Sequence, residues 1–514
     1  IVIIFNPLTI DRNEIVCLQS SNSENIHVKD SFNDNILPVQ INPVIYKDRD
    51  RMQISFTVVE LCWMASIPAL SLKRYVLSSD KEVKDSLARK STIITNFGTS
   101  ATSNFNVNKF ESDVFRVENE YFMATFSSAT GYLKVMQLKN QAEVNLNIDF
   151  AKYGTTNDKD KSGAYLFLPD GDAKELPSLN HKVLLIQGHL FTLFQYPSYR
   201  RNFAQAVSCR SLELQNLVDI TREENFELVM RLKTGIKNED NTFFTDLNGF
   251  QIIKRKYFSK IPHQGNVYPM PTAAYLEDKN FRLTLLSGQP NGVVSSNTGQ
   301  FEVFLDRRLM QDDNRGLFQS ITDNKITPNV FKLVFESLSE EEIDNNRKTG
   351  HHTLLSHLSS LSLLYPLLIM FDNVENEQSK LDLLSSKRFI RRSFPCDLHL
   401  INLRTLQEKQ DYNDSGDSSS FKSSQDYNNL YPNVRTKSEL GLILHRFSYD
   451  CKARNQNLAE CSKFFDKDNQ HNRIFSTRKQ LSIQRYYFVI ILSYFIPLYA
   501  ILVDCEPSHT VFQD

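Results

Sequence analysis

The chain has 514 residues, of which 41% are hydrophobic and 23% charged, and its formal net charge at pH 7 is −1. This balance argues against a nucleic-acid-binding protein, and the sequence contains no basic stripe with interleaved aromatic residues. The length allows a large core and predicts two to four domains, because a domain usually has about 100–200 residues.

The start of the chain and its cysteines give indirect information about the compartment. The chain begins Ile-Val-Ile-Ile-Phe-Asn-Pro-Leu, without an initiator methionine or a signal-peptide pattern, so we expect it to be the downstream part of something longer. Its seven cysteines are too scattered for a zinc cluster and too few for a disulfide-dense scaffold. Cys451 and Cys461 could close a short loop in an oxidising lumen, or they could be free buried thiols.

Residues 1–77 predict a small antiparallel β-sandwich, because short apolar runs alternate there with turns that contain proline. The predicted strands are Ile1–Phe5, Ile15–Leu18, Leu37–Ile41, Gln53–Val59 and Tyr75–Leu77. Residues 78–112 are rich in Lys, Asp, Ser, Thr and Asn, a composition that predicts a polar linker or an inserted loop.

Residues 113–336 predict a large antiparallel β-sandwich, because strand patterns recur there with few helical periods. A hairpin turn is expected at Gly131, since glycine permits the positive φ that the turn needs. The predicted strands are Val114–Val117, Tyr121–Phe126, Tyr132–Leu138, Ala164–Leu168, Val183–Gly188, Leu212–Val218, Phe226–Leu232, Phe250–Lys254, Phe281–Leu286, Phe301–Leu305 and Phe331–Phe335.

The composition changes beyond about residue 337. Residues 337–462 predict an irregular region, with a disordered Ser/Asp-rich run at 411–429 and a strand at 440–446 that could return to the sandwich. Residues 463–514 form a divergent tail. Its apolar run Tyr486–Val503 leaves three interpretations open: a marginal membrane span, a buried strand pair, or a mis-joined coding segment.

The segment Gln300–Gly316 places a dense group of charges directly after an apolar strand. Its first half alternates apolar and polar side chains, and arginines, aspartates and a closing glycine follow. Charges beside a core must be paired or must face a ligand. The sequence is compatible with a self-neutralising salt-bridge cluster at a strand end. Residue types alone favour this interpretation, and the alternative is a polar-ligand site, because an arginine fork and carboxylates suit sugar hydroxyls.

The segment Lys161–Gly171 is the second informative stretch. We expect a strand with Tyr165 and Phe167 on one face, ending in a Pro-Asp-Gly turn. Tyr165 could be a core tyrosine with a satisfied hydroxyl, or it could present its phenol to a ligand.

Other catalytic signatures are missing from the sequence. It contains no Gly-rich phosphate loop, no nucleophile elbow and no recognised zinc-binding pattern. His351, His352 and His357 are close in sequence, but they lack a nearby carboxylate. This favours packed or solvated histidines over metal ligands.

Five stretches carry a resemblance to a known family: Lys161–Gly171, Leu217–Leu232, Phe244–Arg255, Leu276–Pro290 and Asp306–Gly316. In order and spacing they resemble the C-terminal β-rich half of class II α-mannosidases, glycoside hydrolase family 38. Tyr-Leu-Phe-Leu-Pro and Thr-Asp-Leu-Asn-Gly-Phe-Gln are similar to the Golgi α-mannosidase II type rather than the lysosomal type. The resemblance covers residues 1 to about 336 and Gly441–Arg446, whereas residues 340–430 and the tail from about 463 do not resemble the family.

The resemblance implies a retaining glycosidase that removes terminal α-linked mannose from N-glycans. It implies a small antiparallel β-sandwich followed by a galactose-mutarotase-like super-sandwich. It also implies location in the Golgi lumen, with membrane anchoring through an N-terminal segment. The family's zinc ion and its two catalytic aspartates belong to an α/β domain upstream of this chain. We therefore expect no catalytic or metal-binding residue here, and we expect that domain to be the partner of this chain.

The resemblance also assigns substrate-binding residues by motif. Tyr165 and Arg315 match the family's sugar-contacting tyrosine and arginine, and Asp313 is expected to orient Arg315. These residues are expected at one edge of the sandwich. The alternative is a stand-alone, non-catalytic β-sandwich that binds carbohydrate or a protein partner, and an upstream zinc-binding domain would distinguish the two. Contact of the chain with a membrane is left open.

Overall fold

A computed structural model describes residues 1–48, 51–79, 87–98, 104–119, 121–139, 143–156, 158–177, 182–198, 201–207, 211–339, 348–371, 386–407, 436–453 and 488–492. These residues are mainly β-strand, with one α-helix, α1 (Leu354–Leu364), and 3-10 turns at Glu239–Asn241 and His263–Asn266. None of the described helices is long and apolar enough to cross a membrane.

The strands of the N-terminal part are β1 (Val2–Asn6), β2 (Arg12–Ser20), β3 (Ile26–Asp30), β4 (Ile36–Leu37), β5 (Val39–Asp48), β6 (Arg51–Ile67), β7 (Ser71–Ser79) and β8 (Ala88–Lys90). Those of the middle are β9 (Thr92–Thr95), β10 (Val107–Lys109), β11 (Val114–Glu118), β12 (Phe122–Ser127), β13 (Leu133–Leu138), β14 (Glu143–Tyr153), β15 (Lys174–Glu175), β16 (Leu184–Gln187), β17 (Thr192–Ser198), β18 (Arg201–Val207), β19 (Leu212–Val218), β20 (Phe226–Thr234), β21 (Thr242–Asp246), β22 (Ile252–Lys256), β23 (Tyr268–Met270), β24 (Ala273–Glu277), β25 (Phe281–Ser287), β26 (Asn291–Val294), β27 (Gln300–Arg308) and β28 (Thr327–Ser337). The remaining strands are β29 (Thr349–Gly350), β30 (Leu368–Phe371), β31 (Lys387–Arg388), β32 (Leu398–Gln407), β33 (Thr436–Arg446) and β34 (Phe488–Leu492).

The N-terminal strands form the small sandwich that the sequence predicts. One sheet has the order β30-β1-β7-β3-β4, with β31 also on β7, and the other has the order β2-β6-β5-β8. Trp63 and Tyr75 are fully buried between the two sheets, with their ring centroids 5.8 Å apart. Strand β7 is buried at every second position over its first five residues, which places Tyr75 on its inner face.

The large sandwich consists of a 12-stranded and a 9-stranded sheet. Their orders are β10-β9-β16-β17-β18-β19-β28-β25-β24-β21-β22-β29 and β11-β12-β13-β14-β20-β27-β26-β23, with β15 beside β14. One continuous apolar core lies between them and includes Phe122, Phe150, Phe301 and Phe331. The mainly β architecture confirms the fold expected from the sequence. Gly131 has the expected positive φ, 74°, in the turn between β12 and β13.

Strand β20 departs from the half-buried pattern, because its first seven residues are buried on both faces. One face points into the core between the sheets. Its other face, on the outside of the 9-stranded sheet, is covered by the connection that follows β14. This covered outer face carries the candidate site.

The segment 78–112, which the sequence predicts to be a linker or an insertion, contributes three short strands. β8 pairs in parallel with β5, β9 pairs with β16, and β10 pairs in parallel with β9. Ile93 of β9 is fully buried. The apolar residues of Thr92–Thr95 are sufficient for a strand near the end of a sheet, although the surrounding composition is polar.

The C-terminal part packs on the 12-stranded sheet through buried charges. Arg282 of β25 is fully buried, binds the carboxylates of Glu277 and Asp450, and lies over the ring of Tyr275. Thr353 accepts a hydrogen bond from the Ser356 amide at the start of α1, and its hydroxyl donates to buried Glu336. These contacts connect the region after residue 336 to the sandwich.

The predicted strand at 440–446 exists within β33, but it does not join the sandwich. It pairs with β32 and β34 in a separate three-stranded sheet. Residues 488–492 of the apolar run Tyr486–Val503 form β34, whereas the rest of that run and the predicted disordered run 411–429 lie outside the described residues.

A disulfide joins Cys17 of β2 to Cys62 of β6, two residues that lie directly opposite each other in the sheet. Cys396 is also disulfide-bonded. The suggested pairing of Cys451 with Cys461 involves a residue outside the described part of the chain. Sequence spacing did not identify Cys17 and Cys62, because their proximity follows from strand register rather than from closeness in sequence.

Candidate functional site

Two connections meet on the outer face of the 9-stranded sheet. Residues 154–173 follow β14, and residues 309–326 follow β27. An isolated bridge joins Thr155 to Pro169 in the first connection, and another joins Leu309 to Ile321 in the second. The two charged and aromatic segments singled out in the sequence are therefore neighbours in space.

The carboxylate of Asp313 links the two connections. Its Oδ2 accepts hydrogen bonds from the backbone amides of Tyr165, at 2.6 Å, and Leu166, at 2.9 Å. Asp313 is fully buried, and desolvation alone would raise its pKa. The backbone donors, which include the amide of Arg315, outweigh this effect and hold the pKa of Asp313 below its usual value. Asp313 is therefore a charged anchor for the backbone that carries Tyr165.

Gly163 allows this approach. A Cβ atom at Gly163 would lie 2.5 Å from Asp313 Cβ and 2.6 Å from the Asp313 backbone nitrogen. Both are far closer than non-bonded atoms can come, so only glycine fits without a shift of backbone. The amide of Gly163 also donates to the Leu166 carbonyl, which closes a tight turn around Tyr165.

Arg307 holds the same turn from the side of the sheet. Its Nη2 donates to the Leu166 carbonyl oxygen at 2.9 Å and to Glu227 Oε1 at 3.0 Å. Glu227 lies directly opposite Arg307 in the β20–β27 pair and is only 2% exposed. Burial raises the pKa of Glu227, while Arg307 and Ser162 oppose that rise.

Phe167 inserts into an aromatic group beneath the turn. Its ring makes edge contacts with Tyr153 and Phe304, at centroid distances of 5.2 and 5.0 Å, and lies 5.8 Å from His263. Tyr153 and Phe304 project from β14 and β27 on the face away from the main core. The turn therefore packs on side chains from β14 and β27, the strands on either side of β20.

A buried polar chain continues under this aromatic group. Tyr153 donates its hydroxyl hydrogen to Glu302, and Arg231 Nε donates to the other oxygen of Glu302 at 2.8 Å. His263 Nε2 lies 2.9 Å from the Tyr153 hydroxyl, so that nitrogen must be the donor. Burial lowers the pKa of His263 and raises the pKa of Tyr153, which favours the neutral form of both rings.

Two polar groups remain available above this platform. The side chain of Tyr165 is 64% exposed. The Arg315 guanidinium pairs with Asp160 at 3.1 Å, and both side chains are exposed, so the pair contributes little to stability. A phenol and a guanidinium on adjacent, anchored connections can both donate hydrogen bonds to a polyhydroxylated ligand.

The geometry differs from the sequence-based expectations in three respects. Residues Ala164–Leu168 do not form a strand, because their amides bind the Asp313 carboxylate and the Ser162 hydroxyl instead of a neighbouring strand. Tyr165 and Phe167 therefore do not share a face. Asp313 was expected to orient the Arg315 side chain, but it contacts only the Arg315 backbone amide. The Arg315 guanidinium pairs with Asp160 instead.

The charged turn is also not a self-neutralising cluster. Each arginine has partners from another segment: Arg307 binds Glu227, Arg315 binds Asp160, and Arg308 donates to the Thr322 carbonyl and the Asn324 side chain.

The described residues offer no usable metal site. Among the described residues, only one group of three or more His, Cys, Asp or Glu side chains has ligand atoms that all lie within 4.8 Å of one another. This group consists of Cys17, Glu60 and Cys62. Both sulfurs are in a disulfide and cannot act as thiolate ligands. His352 and His357 are buried, and burial lowers the pKa of each.

Sequence reasoning missed Gly163, Arg307 and Glu227. Each lies in or beside a segment that the sequence analysis singled out, but their roles depend on contacts across 80 to 150 positions of the chain. For Arg307 and Glu227, the available signal was that each is a charged residue at a predicted strand and that their charges are opposite.

Comparisons with known proteins agree with this architecture. Residues 117–315 match the family described as glycosyl hydrolases family 38 C-terminal domain. "Alpha-mannosidase 2" of Rattus norvegicus is 34% identical over 464 residues, which cover 88% of this chain and 38% of the rat protein. The protein of the same name from Homo sapiens is 36% identical over the same shares of the two chains. "Lysosomal alpha-mannosidase" of Homo sapiens is 28% identical over 347 residues, covering 63% of this chain and 32% of that protein.

Among solved structures, an alpha-mannosidase from Enterococcus faecalis V583 has a TM-score of 0.50 at 10% identity, covering 87% of this chain and 50% of that chain. This likeness shows the fold alone. The chain spans 38% of the length of these rat and human relatives. A match over 88% of the chain extends well beyond residue 336, so the expectation that the resemblance fails throughout 340–430 is wrong.

Proposed function

Because this chain belongs to glycosyl hydrolase family 38, as the C-terminal portion of a class II α-mannosidase, we propose that it forms the carbohydrate-binding side of that enzyme's active-site pocket. The substrate is terminal α-linked mannose of N-glycans, which a retaining reaction releases. The observation that supports the proposal is that the exposed Tyr165 phenol and the exposed Arg315 guanidinium lie on two connections that Asp313 joins.

The chemistry of bond cleavage belongs to another part of the enzyme. A retaining glycosidase uses a carboxylate nucleophile and a carboxylic acid about 5–5.5 Å apart, and a zinc ion can bind adjacent sugar hydroxyls. The described residues do not fit a zinc ion, since the cysteines of the candidate group are oxidised. We assign zinc and the catalytic aspartates to an upstream α/β domain of the same polypeptide, the partner of this chain. Tyr165 and Arg315 would then bind and orient the mannose.

The proposed location is the lumen of the Golgi, with anchoring through an N-terminal segment. The disulfide between Cys17 and Cys62 and the disulfide-bonded Cys396 support an oxidising compartment. The rat and human proteins named alpha-mannosidase 2 are 34% and 36% identical to this chain, against 28% for the human lysosomal protein, which supports the Golgi type.

Kinetics of the full-length enzyme test the proposed role of Arg315. We expect Arg315→Ala to lower kcat/KM for an aryl α-mannoside by about 10–150-fold, because losing a charged hydrogen bond in a desolvated site costs roughly 1.5–3 kcal/mol. Thermal unfolding should change little, since the Arg315–Asp160 pair is exposed. Arg308→Ala is the matched control. A lower unfolding temperature with unchanged kinetics would show that Arg315 has a structural role only.

The chain expressed alone should not hydrolyse the same substrate. It lacks an assigned pair of catalytic carboxylates with zinc, so binding groups alone cannot cleave the glycosidic bond. The measurement is release of the aryl group with and without added zinc, and the full-length enzyme is the positive control. Zinc-dependent turnover by the isolated chain would contradict the division of roles between the two parts.

A further inference from the structure

The turn that carries Tyr165 is restrained at consecutive peptide groups. Asp313 accepts from the amides of Tyr165 and Leu166, and Arg307 donates to the carbonyl of Leu166. The amide and the carbonyl of Leu166 belong to the two peptide units that follow Tyr165. Holding both units restrains the backbone rotations that would shift the Tyr165 backbone, and with it the base of the phenol side chain, relative to the sheet.

Arg307 is itself held in place by the sheet. Glu227 lies directly across from it, and the same Nη2 atom binds Glu227 and the Leu166 carbonyl. Because Glu227 is 2% exposed, its carboxylate has few alternative partners in water. The position of the turn is thus coupled to the β20–β27 pair through one guanidinium.

We propose that Arg307 is a positioning residue for Tyr165: it fixes the backbone position from which the phenol projects above the sheet for contact with the mannose ring. The inference rests on the proposed function, since it assumes that Tyr165 contacts the substrate. Arg307 is 30% exposed at its side chain and acts through the Leu166 carbonyl rather than on the sugar.

A double-mutant cycle in the full-length enzyme tests the coupling. Arg307→Ala and Tyr165→Phe should each lower kcat/KM for an aryl α-mannoside by about tenfold or more. If Arg307 acts through Tyr165, then Arg307→Ala should have little further effect in the Tyr165→Phe background. Additive losses would overturn the proposal, because they would show that Arg307 acts independently of the phenol.

A second variant protects the test against misfolding. Arg307→Ala leaves the buried Glu227 carboxylate unpaired, which can prevent folding. The double variant Glu227→Gln/Arg307→Gln removes both charges and leaves two neutral amides. It should show the same absence of additivity with Tyr165→Phe. Arg308→Ala, in which the neighbouring arginine with contacts to Thr322 and Asn324 is removed, should leave kcat/KM unchanged.

Amide hydrogen exchange separates this inference from the proposed function. Exchange at residues 163–168 should become faster in the Arg307 variants and stay unchanged in Arg308→Ala. If Tyr165→Phe does not affect the kinetics, the substrate-binding role of Tyr165 fails. Faster exchange in the Arg307 variants would still establish that Arg307 restrains the turn. Unchanged exchange in the Arg307 variants would show that Arg307 does not restrain the turn, and would overturn the proposal.

Discussion

At the scale of single residues, a buried carboxylate determines how the candidate site is built. Asp313 accepts from two successive backbone amides instead of pairing with a nearby arginine. This leaves Arg315 on an exposed partner, Asp160, from which a ligand can displace it at little cost. The site therefore separates residues that hold the backbone from residues that remain available for binding.

Gly163→Ala should disturb this arrangement strongly. The added methyl group would lie 2.5 Å from Asp313 Cβ and 2.6 Å from a backbone nitrogen, so the two connections must move apart. We expect weaker mannoside binding, measured as a raised KM in the full-length enzyme, and faster amide exchange at Tyr165 and Leu166. Gly98→Ala is the matched control, because nothing lies within 4 Å of its added Cβ. Unchanged KM in Gly163→Ala would show that the contact with Asp313 is not needed.

The sequence could predict part of this site. The proximity of the Tyr165 and Arg315 segments followed from the family resemblance. Their connection through Asp313 and the turn at Gly163 could not be derived, because a backbone approach between residues 150 positions apart leaves no local pattern. The apolar and aromatic run around Tyr165 and Phe167 suggested a strand, but the Asp313 carboxylate competes with strand pairing for the same amides.

At the scale of elements, histidines from three segments pack around Phe447 in the C-terminal part, and one of them, the half-buried His445, also contacts Phe250 beside β22. His357 and His399 lie 4.3 and 6.1 Å, between ring centroids, from Phe447, and His445 lies 4.5 Å from the same ring. His352 is next to Arg282. Sequence reasoning treated the histidines near 351 as packed or solvated rather than ligating, but it could not anticipate that His399 and His445 would join them from distant strands.

These histidines predict a loss of stability in acid. Burial lowers the pKa of His352 and His399 to about 4 each, with Arg282 adding to the effect on His352. An unfolded histidine titrates near 6.5, so between about pH 6.5 and 4 the unfolded state binds more protons. Stability should therefore fall as the pH drops through this window. For His352 the loss approaches roughly 3 kcal/mol at its lower end.

Urea unfolding of the chain at pH 7 and pH 4.5 measures this effect. His352→Gln should reduce the difference between the two midpoints, because glutamine does not titrate. His189→Gln, at an exposed position after β16, is the control and should leave most of the difference. An equal difference in all three proteins would assign acid sensitivity to other groups.

At the scale of the whole molecule, strands β9 and β16 contribute side chains to the cores of both sandwiches. Ile93 of β9 and Leu184 and Ile186 of β16 belong to the core of the small sandwich. Leu185, between them, belongs to the core of the large one. Successive side chains of these strands thus point into different cores. The composition of 78–112 predicted a linker because only four residues, Thr92–Thr95, carry the apolar signal, whereas the partner strand β16 is about 90 positions away.

Removing residues 463–514 deletes β34, which pairs only with β33 among the described strands, at the edge of the three-stranded sheet. The described apolar cores of both sandwiches use residues before 372, and the Arg282–Asp450 pair also precedes the cut. We expect thermal unfolding of the sandwiches to stay within a few degrees of the intact chain, while amide exchange in Thr436–Arg446 becomes faster.

Removal of residues 493–514 alone is the matched control, because it retains β34. This shorter deletion should leave exchange in β33 unchanged, because all the pairing between β33 and β34 persists, from Leu440 opposite Leu492 to Leu444 opposite Phe488. A loss of soluble folded protein in the longer deletion, but not in the shorter one, would show that β34 stabilises the sandwiches through the three-stranded sheet. Loss in both would place the essential contact beyond residue 492, and either result would contradict a dispensable tail.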